Sequence, residues 1–167
     1  MIDVRPIGQE HVHRSRCYYK TWIRWEDSFL DEVSGDKGVF ASVGDMFIWD
    51  RALRNGEVIS TELLQKAFTG YSEELSGKKT WNYGYGWRTV DFPDGARAVF
   101  HNGRWHGYTS TFYRGISDDV TIIILCNKFN RGIYNVQPVL KLLNAHYLDT
   151  HDEETPADPS DAGKGGK

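Results

Sequence analysis

From residue 83 to residue 126 the chain alternates apolar and polar side chains with a period of two, and this alternation constrains the fold more than any other feature. It predicts four strands, at residues 83–90, 96–101, 108–113 and 120–126. The connections Pro93-Asp94-Gly95 and Ile116-Ser117-Asp118-Asp119 have the composition of tight turns. Strands that follow one another through tight turns pair antiparallel. The sequence therefore predicts an antiparallel sheet, and residues 11–25 add one or two further strands.

Helices are predicted before and after this strand-rich segment. Ser42 is a good N-cap, and Asp45 can complete a capping box. Asn55-Gly56 supplies a left-handed stop. Ser60 begins a second helix that ends near Gly70, and residues 135–148 form a third. The positions expected to face the core are Met46, Phe47, Trp49, Ala52, Leu53, Leu63, Leu64, Ala67, Phe68, Val136, Val139, Leu140, Leu143 and Tyr147. The fold class is therefore α+β, with an antiparallel sheet covered by helices.

The length of the chain is enough for one domain and a short tail. Its 167 residues fall within the usual size of a single domain. Residues 150–167 contain no large apolar side chain, so burial could not offset the entropy of ordering them. We therefore expect a folded domain at residues 1–149 and a disordered tail at residues 150–167.

Charge and hydropathy argue against two classes of partner. The net charge is −3, and no basic run resembles a nucleic-acid-binding stripe. No apolar run reaches the length of a membrane span, and residues 1–10 lack the apolar core of a signal peptide. We therefore expect no nucleic acid, no membrane span and no export of the chain as written.

The two cysteines indicate neither a metal site nor a disulfide framework. Cys17 and Cys126 are far apart in the sequence and have no ligand-like spacing. Cys126 ends an apolar strand, which favours a buried thiol. A bridge between the two remains open at the level of sequence.

Several short strings, in one order, resemble a known family. They are GVFASVGDM at 38–46, WDRAL at 49–53, NG at 55–56, YGYGW at 83–87, HNG at 101–103, GYTS at 107–110 and LCN at 125–127. Together, over residues 18–148, they resemble the serine β-lactamase and penicillin-binding-protein superfamily. The nearest branch holds class C β-lactamases, D-alanyl-D-alanine carboxypeptidases and related esterases. The resemblance implies a partial β-lactamase/transpeptidase-like fold.

The resemblance also implies roles for four consecutive residues. His101 takes the basic position of the third active-site motif, and Asn102 takes the substrate-facing polar position. Gly103 takes the small position that allows close backbone approach. Arg104 would donate its backbone N–H to the oxyanion hole, although its bulk departs from the small residue usual there. His101 and Arg104 are thus the expected catalytic residues, and Asn102 and Gly103 the substrate-binding ones; no cofactor or metal is implied.

Two motifs that the family needs for catalysis are missing. The chain contains no Tyr-x-Asn and no Ser-x-Asn. The Ser-x-x-Lys at Ser76 to Lys79 lies in a charged stretch that would not desolvate the lysine, so we do not expect it to act as the nucleophile. We therefore expect the C-terminal part of a serine hydrolase, inactive alone. Its relatives are commonly exported.

Two function classes follow. The first is a hydrolase fragment whose small-molecule or peptide substrate is an acyl-D-alanine-like amide, a β-lactam or an ester. The second is a non-catalytic module of this fold that binds peptide or glycan. In either case, an exposed sheet edge would favour self-association.

The stretch around His101 admits other interpretations. Asn102-Gly103 is also a strong signal for a two-residue hairpin, which would give positive φ at both residues; the family resemblance instead has the strand continue and turn near residues 105–107. A metal site from His11, His13, His101 and His106 would lack a carboxylate at a recognised spacing. Trp105 could belong to the core or to a groove wall.

Overall fold

A computed structural model describes residues 15–20, 22–26, 31, 35, 37–72 and 81–147 of the chain. The predicted tail at residues 150–167 lies outside them. The described strands are β1 (Tyr18–Lys20), β2 (Ile23–Arg24), β3 (Asn82–Tyr83), β4 (Arg88–Asp91), β5 (Arg97–Trp105), β6 (Tyr108–Gly115) and β7 (Val120–Cys126). The described helices are α1 (Val43–Arg54), α2 (Thr61–Ala67) and α3 (Gln137–Leu142), with a 3-10 helix at Arg131–Tyr134 before α3.

Five of the strands form one antiparallel sheet in the order β3-β4-β5-β6-β7. β1 and β2 form a separate two-stranded hairpin, and Tyr18 bridges to Lys128 just after β7. Because consecutive strands are neighbours, every sheet connection is a short antiparallel turn. The α+β class predicted from the period-two pattern is confirmed.

Helices pack on both faces of the sheet, so the chain has two apolar clusters. On one face, Val99 of β5 packs with Leu53 of α1 and with Leu64 and Phe68 at α2. On the opposite face lie Val90, Ala98, Tyr113 and Ile122, which pack with Val136, Leu140 and Ala145 around α3. Val99 and Ala98 are adjacent, as expected where successive side chains of a strand point to opposite faces. The sheet is therefore the middle layer of three.

The predicted helix starts are confirmed in atomic detail. Ser42 Oγ accepts a hydrogen bond from the Asp45 N–H at 3.1 Å, and Asp45 Oδ2 accepts one from the Ser42 N–H at 3.0 Å, which completes the capping box. Ser60 Oγ accepts from the Leu63 N–H. Gly56, just past α1, has φ of +72°, the conformation that a glycine stop provides.

The single strand predicted at residues 83–90 is wrong. The chain forms two short strands there, β3 and β4, joined by a turn in which Gly84 N–H donates to the Trp87 carbonyl at 2.7 Å. Gly86 adopts φ of +75°. A Cβ on Gly84 would collide with the Ala67 carbonyl at the end of α2. The reversal therefore depends on two glycines and on a neighbour distant in sequence.

The predicted apolar faces of the helices are only partly correct. Leu53 and Phe68 are buried as predicted, whereas Phe47 and Leu63 are 50% and 54% exposed. α3 is shorter than the predicted 135–148, because the chain leaves the helix after Leu142 and Asn144 takes a positive φ. Val136 and Leu140 are buried, but Val139, Leu143 and Tyr147 are exposed.

Both cysteines are free thiols, so no bridge joins Cys17 to Cys126 in the structure. Cys17 is buried. Cys126, expected to be a buried thiol, is only partly buried, and its Sγ lies 3.0 Å from the Lys128 carbonyl oxygen.

Candidate active site

β5 runs without interruption through His101, Asn102 and Gly103, so the hairpin interpretation of Asn102-Gly103 is wrong. Neither residue has a positive φ. The turn falls instead at His106-Gly107, between the paired residues Trp105 and Tyr108, and His106 takes φ of +50°. This is the geometry that the family resemblance required.

The position of the turn determines which backbone groups of β5 bond to β6. Trp105 and Tyr108 flank a two-residue turn, so they form a hydrogen-bonded pair. Bonding alternates along the strand, so Gly103 and His101 also bond to β6. The backbone groups of Asn102 and Arg104 therefore point to the other side of β5. On that side β4 pairs with β5 only as far as Phe100.

His101 lies on the face of the sheet that carries α1 and α2. Its Nε2 is 2.9 Å from the hydroxyl of Tyr83, and the two rings meet edge to face, with centroids 6.0 Å apart. His101 is exposed to solvent, although the ring is partly shielded by its neighbours. Partial burial of the ring and, second, the positive charge of Arg88 nevertheless lower the pKa of His101 from its ordinary value.

The neighbouring strand β6 leaves no space for a side chain at Gly103. It pairs with Ser110 of β6, and a Cβ on Gly103 would collide with Ser110 Oγ. Its carbonyl accepts a hydrogen bond from the Tyr134 hydroxyl at 3.1 Å. A side chain at this position would therefore displace either β6 or Ser110.

Asn102 and Arg104 lie on the face opposite to His101 and Gly103, because side chains alternate along β5. Asn102 Oδ1 is buried and has no hydrogen-bond partner among the described residues. The guanidinium of Arg104 stacks over the Phe129 ring at 4.4 Å. The four residues picked out by the motif are thus adjacent in sequence but divided between two faces of one strand.

The charges of three arginines act on Tyr134, and the sequence did not indicate this group. Burial raises the pKa of Tyr134, and the charges of Arg104, Arg131 and Arg88 act in the opposite direction. The Arg88 guanidinium lies over the Trp81 ring at 4.7 Å, and its buried Nε has no hydrogen-bond partner among the described residues. The one available signal was the position of Arg88 directly after the YGYGW string.

A cavity of about 760 Å³ lies beside the C-terminal part of β5, from Gly103 to Trp105. Its lining is largely apolar and includes Phe40, Met46, Gly103, Ser110, Phe112 and Leu125. Trp105 also lines it, so this residue belongs to a groove wall. Its indole N–H donates to Asp31 Oδ1, and Lys37 Nζ lies 4.3 Å from the ring centre.

Some of the candidate residues lie outside the described part of the chain. These are Ser76 and Lys79 of the Ser-x-x-Lys string, and His11 and His13 of the metal alternative. Within the described ranges, no three His, Cys, Asp or Glu side chains converge as metal ligands would. Nor is any helix in those ranges long and apolar enough to cross a bilayer.

A serine-hydrolase relationship follows from comparison with known proteins. Residues 2–143 match the family model described as Beta-lactamase, and the chain belongs to that family. It is 33% identical over 136 residues to penicillin-binding protein 4* of Bacillus subtilis (strain 168). That match covers 81% of this chain and 29% of the relative, so the chain spans less than a third of the relative's length.

Proposed function

We propose that this chain supplies the His-x-Gly wall of a serine-hydrolase active site of the β-lactamase and D-alanyl-D-alanine carboxypeptidase type. The observation that carries the proposal is the course of β5. The strand passes unbroken through His101 and Gly103. Its register directs the Arg104 N–H away from β6, toward the side on which β4 no longer pairs with β5. A backbone donor in that direction suits an oxyanion hole, because it points past the strand edge rather than into the sheet.

Each residue of the motif has a physical task in this proposal. Gly103 has no side chain of its own between a substrate and the backbone, and a Cβ at this position would collide with Ser110 Oγ. His101 presents a ring beside that edge, oriented by Tyr83. The large Arg104 side chain does not obstruct the edge, because it stacks on Phe129 on the opposite face.

The charge distribution favours a substrate that carries a carboxylate. The charge of Arg88 acts on both His101 and Tyr134, and its buried Nε has no hydrogen-bond partner among the described residues. Arginine binds carboxylates through charge-assisted hydrogen bonds. Of the substrate classes expected for this family, acyl-D-alanine-like amides and β-lactams carry such a group, which favours them over neutral esters.

The nucleophile would come from a segment other than this sequence. The chain contains neither Tyr-x-Asn nor Ser-x-Asn, and both of its Ser-x-x-Lys strings, at residues 34–37 and 76–79, lie in charged stretches with glycine directly after the serine. We therefore propose that the chain forms no acyl-enzyme on its own, although it retains part of the substrate-binding surface.

Two measurements on the chain test these proposals. Incubation with a fluorescent penicillin should leave no covalent label; label that disappears in Ser76→Ala would show that the nucleophile lies within the chain. Titration with N-acetyl-D-alanyl-D-alanine, followed by amide chemical shifts, should perturb residues 101–104. Arg88→Gln should weaken this binding about tenfold or more, since it removes a charged donor.

Arg97→Gln is the matched control for Arg88→Gln. Arg97 lies on the same sheet but pairs with Asp91 at 2.5 Å, at the opposite end of β5. Binding should be unchanged in this variant. Equal loss in both variants would indicate non-specific charge attraction and contradict the carboxylate subsite. Binding with no label and no dependence on Arg88 would favour the non-catalytic module.

A further inference from the structure

We propose that Tyr83 is a positioning residue for His101, whose hydroxyl donates to Nε2 and holds the ring as a neutral hydrogen-bonding group at the third-motif position. The inference rests on the proposed function, because it assigns a chemical state to a residue of that site. It goes beyond the motif, in which the position is occupied by a basic side chain that acts as a cation.

The sheet brings the two side chains together. Tyr83 pairs with Arg88 of β4, and Arg88 pairs with Phe100 of β5, the neighbour of His101. Tyr83 is therefore one strand removed from β5, and its hydroxyl reaches His101 past the Arg88 end of β4, where the pairing of β4 with β5 ends. The hydroxyl lies 2.9 Å from Nε2, and the rings are 77° apart in plane. This is a normal hydrogen-bond distance with a defined ring orientation.

The remaining contact of the ring indicates its tautomer. A hydrogen bond with the backbone of Asn102 acts to raise the pKa of His101, as expected if the ring donates a proton there. A neutral imidazole carries one N–H and one lone pair. If the proton is on Nδ1, Nε2 is the acceptor, and the Tyr83 hydroxyl must be the donor.

The surroundings favour the neutral ring over the cation. Loss of solvent around the ring is the largest effect on the pKa of His101, and the nearby positive charge of Arg88 acts in the same direction. Of the charged side chains in the described ranges, the one that acts on the pKa of His101 is Arg88. The positive charge of Arg88 disfavours a second cation at this position, whereas a neutral ring can accept or pass on a proton through Nε2.

The experiment is ¹⁵N NMR of the histidine side chains across a pH titration, with the His101 signals identified by their loss in His101→Gln. In the wild type we expect one dominant Nδ1–H tautomer and a titration midpoint below about 6.5. In Tyr83→Phe, the tautomers should mix and the midpoint should rise, because the donor that stabilises the lone pair on Nε2 is gone. Tyr85→Phe removes a hydroxyl from the adjoining turn, and Tyr85 stacks on Tyr71 instead; it should leave both signals unchanged.

The same spectra contain the results that would overturn the proposal. An Nε2–H tautomer in the wild type, a midpoint above that of free histidine, or identical spectra in Tyr83→Phe would each contradict it. Circular dichroism of both tyrosine variants separates these results from loss of the fold. No ligand or turnover is needed, so the outcome is independent of whether the substrate proposal succeeds.

Discussion

The Nε of Arg114 lies 2.7 Å from Oδ1 of Asp50, and each side chain is only 2% exposed. Oδ2 of Asp50 also accepts hydrogen bonds from Arg54 Nε and from Thr121 Oγ1, both at 2.9 Å. The carboxylate has three partner side chains, two of which, Arg114 and Thr121, tie helix α1 to strands β6 and β7. A buried carboxylate with this many partners fixes the helix on the face of the sheet that also carries His101.

Asp50→Ala should be strongly destabilising, because it leaves the Arg114 charge buried without its partner. We expect a loss of about 3–5 kcal/mol in the free energy of unfolding, measured by urea denaturation. Asp119→Ala is the control, since Asp119 also pairs with Arg54 but its side chain is 85% exposed. That variant should lose about 1 kcal/mol or less. Similar losses in the two variants would contradict a central role for Asp50.

Gly103→Ala should destabilise the sheet by about 1–3 kcal/mol through overpacking. The added methyl group would collide with Ser110 Oγ, whereas the Ser110 Cβ is 3.7 Å away and leaves enough space. Adding Ser110→Ala to Gly103→Ala should therefore recover most of the loss. A double variant no more stable than Gly103→Ala would show that the collision is with something other than the serine hydroxyl.

His146 should make stability depend on pH above about 6.5. Its Nδ1 lies 2.6 Å from Asp118 Oδ1, and its Nε2 lies 2.7 Å from Asp94 Oδ2. These hydrogen bonds, to Asp118 first and Asp94 second, raise the pKa of His146 above its ordinary value of 6.5. The stabilisation should therefore be complete below about 6.5 and be lost as the pH rises through the higher folded-state value.

The check is a series of melting curves across this pH range, for the wild type and for His146→Gln. The variant should lack the loss of stability on the alkaline side. The lowered pKa of His101 has the opposite sign and acts below 6.5, where protonation favours the unfolded state. Parallel profiles for the wild type and His146→Gln above that pH would refute the role of His146.

Ser42→Ala should destabilise the protein by about 1 kcal/mol, because it removes the acceptor that caps α1. Ser42→Thr keeps the hydroxyl and should recover most of that stability. Thermal denaturation of the three proteins at one pH measures both effects. If Ser42→Thr were as unstable as Ser42→Ala, the capping bond would not be the cause.

Signals confined to a few neighbouring residues were sufficient to predict much of the fold. The strand at residues 120–126 and the caps at Ser42 and Ser60 match the structure, because alternation and capping involve residues close in sequence. The turn at residues 84–87 did not follow from the sequence. It depends on the contact of Gly84 with the Ala67 carbonyl, which is formed only when α2 docks.

The sequence was sufficient to predict which residues form the candidate site, but not which side chains contact one another there. The order of motifs identified His101 to Arg104 and the strand that carries them. It did not indicate that Tyr83 would bond to His101, nor that the charges of Arg88, Arg104 and Arg131 would act on Tyr134. These contacts join separate strands and a 3-10 helix, so they require the tertiary fold.

The pairing of β4 with β5 ends at Phe100, so β4 lies beside the first half of β5 only. β6, in contrast, pairs with β5 as far as Trp105. We therefore expect local unfolding of residues 101–105 at a lower free energy than that of residues 97–100. The segment that carries the motif could then adjust its backbone to a bound substrate, while the preceding residues stay fixed by Val99 and Ala98 in the two apolar clusters. One strand would thus combine a rigid half with a compliant half.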